Sequence, residues 1–315
     1  MSPERDNLQT QRESDETVLT LSRHAVTEFL RRTGLSVPTT RTFPDNAVAQ
    51  RVRETAAAWD FGGISAERVA CYTATGISMA RTTFAHNHPD TQVHIALFTA
   101  LGLCVDDLEV DSGALSEFVG CLQTGQPQLH PVLEHLAQNV RAMPDFFHPY
   151  AASAILAGTI HHINCTLFEK QMDAAPLHPT ALPYVLHKRA RNSAGEVYSA
   201  FVWDKFNFPE LSSHIQVVPE AMTYLDYAND ILSFYKEEMA GERHNFVHDR
   251  ARVTGKDVRD VLEDILNEVV GAVERGRDIL QGEKERETWE RFLAGYVAFH
   301  FLSPRYKLTQ LTIAG

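Results

Sequence analysis

The chain has 315 residues, with 41 acidic against 29 basic side chains and a formal charge of −12. This balance, with no Lys/Arg stripe to reverse it locally, argues against nucleic acid and anionic lipid as partners. Hydrophobic residues make up 44% of the chain, enough to bury a large core and too many for a disordered protein.

The N-terminal segment MSPERDNLQTQRESDET is polar and mixed in charge, lacks the apolar stretch of a signal peptide, and is expected to form a loose tail over residues 1 to about 17. From Val18 onward apolar residues recur every three or four positions and strand-type alternation is almost absent, so the reading is all-α. The periodicity predicts helices over about Asn46 to Trp59, Ser65 to Phe84, Asp90 to Val105, Ser112 to Cys121 and His130 to Asn139. Further helices are predicted over Ala151 to Lys170, Thr180 to Arg191, Pro219 to Met239, Gly255 to Gln281 and Arg286 to Phe301. Breakers such as Gly62-Gly63, Gly125 with Pro127, Pro144 and the Pro176, Pro179, Pro183 cluster separate helices rather than domains, so residues 18–315 read as one domain. The longest apolar run, Ala151 to Ile160, is too short to span a bilayer, and no membrane anchor is expected. Cys71, Cys104, Cys121 and Cys165 are scattered in apolar stretches without a CxxC pair, the pattern of reduced thiols in a cytosolic protein.

Two clusters carry chemistry. After the apolar helix HIALFTALGLCV come Asp106, Asp107, Glu109 and Asp111, four carboxylates in six residues. At ~4 Å a like-charge pair repels by about 4 kcal/mol at an effective dielectric of 20, so water or cations must screen them. Taken alone the cluster reads as a solvated helix end. The second cluster lies in AMTYLDYANDILSFYKEEMA, where Asn229, Ser233 and Glu237 stand at i, i+4 and i+8 and share one helix stripe. An amide, a hydroxyl and a carboxylate are oxygen donors suited to a hard dication such as Mg²⁺. Tyr224, Leu225, Ala228, Leu232 and Phe234 make this helix apolar nearly all round, so the stripe is expected to face the interior.

DDLEVD followed by NDILSFYKE resembles the DDxxD/E and (N/D)Dxx(S/T)xxxE pair of class I terpene synthases, and SFYKE with Arg305-Tyr306 resembles the fungal trichodiene synthase family within them. The first motif departs from the pattern, with Glu109 and Asp111 in place of a single Asp at the fifth position. The resemblance implies a single-domain helical bundle around an apolar cavity, three Mg²⁺ ions and farnesyl diphosphate as substrate, with a homodimer ordinary for the family. By carry-over, Asp106 bridges two ions while Asn229, Ser233 and Glu237 hold the third; Asp107 and Glu109 stand behind the ligands or on a lid. Lys236, Arg305 and Tyr306 match the diphosphate donors. A further arginine is expected from HKRARNSAGEVY, where spacing to Gly195 favours Arg191 over Arg189, and Arg68 is placed against Asp107 in the closed site. For the carbocation, Phe98, Tyr72, Tyr296 and Phe299, with Phe84, are the candidate aromatic faces.

The rival readings lack their motifs. A chain-elongating prenyltransferase carries two aspartate-rich motifs, a protonation-initiated cyclase carries DxDD, and a non-catalytic isoprenoid-binding protein has no use for an intact ionising clamp. His86-Asn87-His88 and His161-His162 with Cys165 match no zinc-site spacing, and GxSxG, GxxxxGK[ST] and GxGxxG are absent.

Overall fold

The computed structural model describes residues 3–39, 46–107, 109–172, 176–192 and 195–313, with side chains from Thr17 onward except that of Asn192. Among the described residues there are thirteen α-helices and no strand. They are α1 (Pro3–Thr33), α2 (Ala47–Ala57), α3 (Ala66–Thr82), α4 (Pro89–Asp106), α5 (Ser112–Thr124), α6 (Pro131–Arg141) and α7 (Pro149–Met172). There follow α8 (Leu182–Asn192), α9 (Gly195–Phe201), α10 (Val218–Ala240), α11 (Phe246–Thr254), α12 (Val258–Ile279) and α13 (Glu283–Leu302). Two short 3₁₀ turns, Pro304–Tyr306 and Leu308–Leu311, follow α13.

Ten of these helices match predicted segments to within a few residues at most ends; α1, α9 and α11 are additions. The predicted helix from Gly255 to Gln281 is α12, and an unpredicted helix, α11, ends just before it. Asn245 caps α11 by accepting from the His248 amide, and Gly255 at φ +67° ends that helix rather than opening the next. A left-handed residue at this position satisfies the last carbonyls and favours glycine. Only side chains from Thr17 onward are described, so the contacts of the expected tail over residues 1–17 lie outside the described residues; the backbone is already helical from Pro3.

The core is built on helices apolar around most of their circumference. α4 buries twelve of its positions, from Thr91 to Val105, and packs along α3; α10 packs along α12 and α9. Two glycines set the closest approaches. A Cβ on Gly76 of α3 would stand 2.1 Å from the Ala96 carbonyl oxygen of α4, and one on Gly295 of α13 would stand 2.2 Å from that of Thr82. α3 is therefore clamped between α4 and α13, which carries the end of α4 and the end of α13 to the same side of the bundle as their loops. At the centre Tyr224 is fully buried, stacks against Phe29, meets Phe292 edge-on, and donates its hydroxyl to the Leu293 carbonyl at 2.7 Å.

Buried histidines tie this core to pH. His214 is 3% exposed and stacked on Trp203 at 4.8 Å. Burial pushes it down from an ordinary 6.5 to about 4, and His86 likewise. The folded protein keeps these rings neutral while the unfolded chain takes up protons below 6.5. Stability present above pH 6.5 is therefore lost as pH falls toward about 4, by about 3 kcal/mol for His214 alone. Denaturant unfolding of wild type and His214→Phe between pH 7 and pH 4 is expected to show a shallower loss in the variant; an unchanged loss contradicts the assignment.

Candidate active site

The acidic cluster is taken apart by the end of α4. Asp106 is the last residue of that helix, and its Oδ1 lies 3.3 Å from Nε2 of the buried His162 on α7. Asp107 faces two arginines, Arg305 at 3.5 Å and Arg68 at 3.9 Å. The close partner of Arg68 is Glu109, at 2.6 Å, and the Tyr72 hydroxyl accepts from Arg68 while donating to the same Glu109 carboxylate. The expected Arg68–Asp107 contact is thus the longer of two. Asp111 does something else. It is the N-cap of α5, accepting from the Ala114 amide at 3.0 Å, and this bond holds its carboxyl below the usual range. Four repelling carboxylates are spread over two arginines, a histidine and a helix N-terminus.

On α10 the stripe of oxygen donors faces inward. The Ser233 hydroxyl is buried with no hydrogen-bond partner. One turn before it, Asn229 directs its amide Nδ2 at Nε2 of His300, 3.1 Å away. One turn after it, Glu237 accepts from Asn245 Nδ2 at 3.0 Å on one oxygen and meets Lys236 Nζ at 3.7 Å with the other. Among the described residues no three His, Cys, Asp or Glu side chains gather on one point. The α10 set is amide, hydroxyl and carboxylate, and the orphaned Ser233 oxygen between two further oxygen donors is what an Mg²⁺ ion fits; the remaining coordination positions suit water or phosphate oxygens.

Of the two arginines weighed in the sequence, Arg189 is the one that meets α10, at Asp226 and Asp230, and it lines the same cavity as Asn229 and Glu237, while Arg191, favoured by spacing to Gly195, lies elsewhere. Arg189 Nε donates to the buried Asp230 at 2.9 Å, and its NH2 group donates to the Asp226 carbonyl. Burial pushes the Asp230 carboxyl up, and the Arg189 guanidinium pulls it back toward the ionised form. Arg191 is exposed and lies against His161 at 2.9 Å, on the far side of α8. Two residues along a helix turn the side chain through about 200°, so only one of the pair can meet α10.

The two motifs meet at the C-terminal turn. Arg305 pairs with Asp107; burial works against its charge, but Asp107 and Asp106 together lift its pKa. Its neighbour Tyr306 is buried, packs on His300 at 4.2 Å and carries Lys236 Nζ 5.9 Å above its ring. Burial pushes the Tyr306 hydroxyl up to about 12, with Glu237 and Asp106 both adding to the rise and Asn229 within hydrogen-bonding reach opposing it. A cavity of about 600 Å³ is lined by Asn229, Asp230 and Glu237 of α10, Lys188 and Arg189 of α8, and Phe168 and Glu169 of α7; Asp106, Ser233, Lys236, Arg305 and Tyr306 do not line it. Burial raises the Glu169 carboxyl, Lys188 lowers it, and Asp106 raises it again, so the first motif is electrostatically felt at the cavity wall.

The aromatic candidates divide. Phe299 packs edge-on against Tyr306 at 5.8 Å, and Tyr72 sits at the acidic gate. Phe98 and Phe84 belong to an interior cluster with Phe201, at 5.3 and 6.0 Å, and Tyr296 donates its hydroxyl to the Leu225 carbonyl at 3.1 Å. His162, His300, Asn245 and Glu169 were not among the site residues read from the sequence. His162 lies in the His161-His162 pair that matches no zinc spacing, and nothing in the string AFHFL ties His300 to Asn229 seventy-one residues earlier.

Comparison with known proteins agrees with this geometry. Residues 47–312 match the family model described as trichodiene synthase (TRI5). The chain is 36% identical over 293 residues to monoterpene synthase 25 of Postia placenta, covering 92% of this chain and 86% of that protein. It is 37% identical over 250 residues to terpene synthase 29 of the same fungus, covering 78% and 73%. Among solved structures, linalool/nerolidol synthase from Streptomyces clavuligerus shares the helical fold at TM-score 0.64 and 15% identity, over 83% of this chain and 98% of that one. The fold is that of class I terpene synthases. The chain belongs to the trichodiene synthase family, and with it to the terpene cyclases, carbon–oxygen lyases acting on prenyl diphosphates with Mg²⁺.

The Arg189–Asp230 pair gives a stability test. Arg189→Met leaves the Asp230 carboxylate buried without its cation and is expected to cost about 3–5 kcal/mol. Adding Asp230→Asn is expected to restore a good part of it. Urea unfolding of both variants measures this, and a cost below about 1 kcal/mol for the single variant contradicts the pairing.

Proposed function

We propose that this terpene cyclase is a sesquiterpene synthase that ionises farnesyl diphosphate and closes the resulting carbocation to a hydrocarbon or alcohol. In this reading three Mg²⁺ ions are held by Asp106 on one side and by Asn229, Ser233 and Glu237 on the other. The observation that carries it is the Arg305-Tyr306 turn, which touches the first motif through Asp107 and stands beside Asn229 and Lys236 of the second. When bound, Mg²⁺ supplies positive charge that draws electrons from the diphosphate oxygens and outweighs the repulsion between an anionic substrate and anionic ligands.

The chain's own residues do the rest. Arg305, Lys236 and the Tyr306 hydroxyl provide hydrogen bonds to the leaving diphosphate, where charge grows as the C–O bond breaks. Arg189, facing the cavity beside Asn229 and Asp230, takes the place first given to Arg191. Once ionisation has occurred, Phe299 and the other rings beside Tyr306 are the aromatic faces available to the cation. Asp107 and Glu109 hold Arg305 and Arg68 at the entrance. The cavity volume lies within the roughly 300–1,000 Å³ usual for small-molecule sites. A single domain over 18–315, a homodimer and a cytosolic location belong to the same reading; for location, the four cysteines are free and no described helix is long and apolar enough to cross a membrane.

Geranyl diphosphate is the second reading for the substrate, favoured by the relative named a monoterpene synthase. Incubation with Mg²⁺ and geranyl, farnesyl or geranylgeranyl diphosphate, followed by gas chromatography and a diphosphate assay, decides between them. Cyclic C15 products with stoichiometric diphosphate are expected from farnesyl diphosphate, and C10 products alone contradict the sesquiterpene assignment. Asn229→Ala combined with Glu237→Ala is expected to lower turnover by about 100-fold or more. Turnover near wild type removes the metal assignment.

A further inference from the structure

The Asn229 amide carries one acceptor and one donor group, and only the carbonyl oxygen can bind a cation. A rotation of about 180° about its last bond exchanges the two at little steric cost, so something must fix which end faces the cavity. The structure supplies a candidate on α13. His300 is completely buried, and its Nδ1 lies 2.8 Å from the Tyr296 carbonyl, an acceptor with no proton to give. Nδ1 must therefore carry the ring's hydrogen. Nε2 is left as a lone pair, and it faces Asn229 Nδ2 at 3.1 Å. The reverse amide orientation would set the Asn229 oxygen against that lone pair. The ring itself has little freedom. It is wedged between Tyr296 at 4.5 Å, Phe299 at 5.2 Å and Tyr306 at 4.2 Å, all three on the α13 end and the turn that carries Arg305.

We propose that His300 is a positioning residue: pinned through Nδ1 to the Tyr296 carbonyl, it accepts from the Asn229 amide and so turns the Asn229 carbonyl oxygen toward the metal site. The relay runs from backbone to ring to amide, with the ligand oxygen at its end. It couples the α13 terminus to the second motif, and so links the loop bearing Arg305 and Tyr306 to readiness of the Mg²⁺ site. The proposal rests on the reading of Asn229 as a metal ligand, and partners of this kind typically change metal affinity or activity by about 10–100-fold when removed.

The test uses the full chain with Mg²⁺ and inorganic diphosphate as the probe, reading the thermal-shift midpoint against Mg²⁺ concentration. His300→Leu is expected to raise the half-saturating Mg²⁺ concentration about 10-fold or more. His300→Gln, whose side-chain oxygen can stand near the place of Nε2, is expected to stay within a few-fold of wild type. A His300→Leu protein that is less stable yet has an unchanged Mg²⁺ midpoint overturns the proposal and leaves a structural role only. Should that variant not fold, nitrogen-15 spectra of wild-type histidines decide the matter. A ring protonated at Nδ1 and bare at Nε2, assigned by its loss in His300→Gln, supports the proposal, and an Nε2–H tautomer overturns it. Asn229→Ala in the same titration separates the two ideas: an unaltered Mg²⁺ midpoint there contradicts the ligand reading itself, whereas loss there with none in His300→Leu contradicts only the positioning role.

Discussion

Carboxylates gathered at the mouth of a buried helix need opposite charge, and the fold brings it from two separate stretches of chain. Arg68 comes from α3 and Arg305 from the turn after α13, while His162 of α7 stands against Asp106 as a hydrogen-bonding neighbour. Each contact spans tens of residues of sequence or more, so the acidic cluster is where the ends of these helices are tied together. Asp111 escapes the repulsion by capping α5. What remains is Asp106, with His162 beside one of its oxygens and Arg305 close enough to feel its charge.

The opposite wall follows a different rule. On α10 the two ends of the oxygen-donor stripe are held by neighbours, and its middle is not. Asn229 gives its amino group to His300, Glu237 shares one oxygen with Asn245, and the Ser233 hydroxyl has no partner. A buried hydroxyl without a partner is unfavourable in an empty interior, and it makes sense where an ion or its water completes the shell. The Arg305-Tyr306 turn closes the distance between the walls, since one residue pairs with the acidic cluster and the next packs on His300 and beneath Lys236.

Much of this was legible in the sequence, for reasons that differ by residue. The α10 donors were readable because helical period alone aligns i, i+4 and i+8, and apolar flanks say which way the stripe turns. The choice between Arg189 and Arg191 was not, because it depends on the rotational setting of α8 against α10, which spacing along one helix does not contain. Helix α11 was hidden for a similar reason: Gly255 reads equally well as a stop or a start until the Asn245 cap is seen. The aromatic candidates were the least legible. Phe98 and Phe299 look alike in sequence, yet one packs among Phe201 and Tyr198 while the other meets Tyr306. His300 was invisible, since its role lies in a contact across seventy-one residues and in which ring nitrogen its own helix occupies.

The central claim is that oxygen donors from the end of α4 and from the stripe of α10 grip one metal–diphosphate assembly. Crystals grown with Mn²⁺ and inorganic diphosphate, measured at the manganese edge, test it most directly. The account predicts anomalous peaks at about 2.1 Å from Ser233 Oγ, Asn229 Oδ1 and a Glu237 oxygen, and others beside Asp106, with diphosphate between them. Peaks confined to the exposed carboxylates, with none at Ser233, would contradict it.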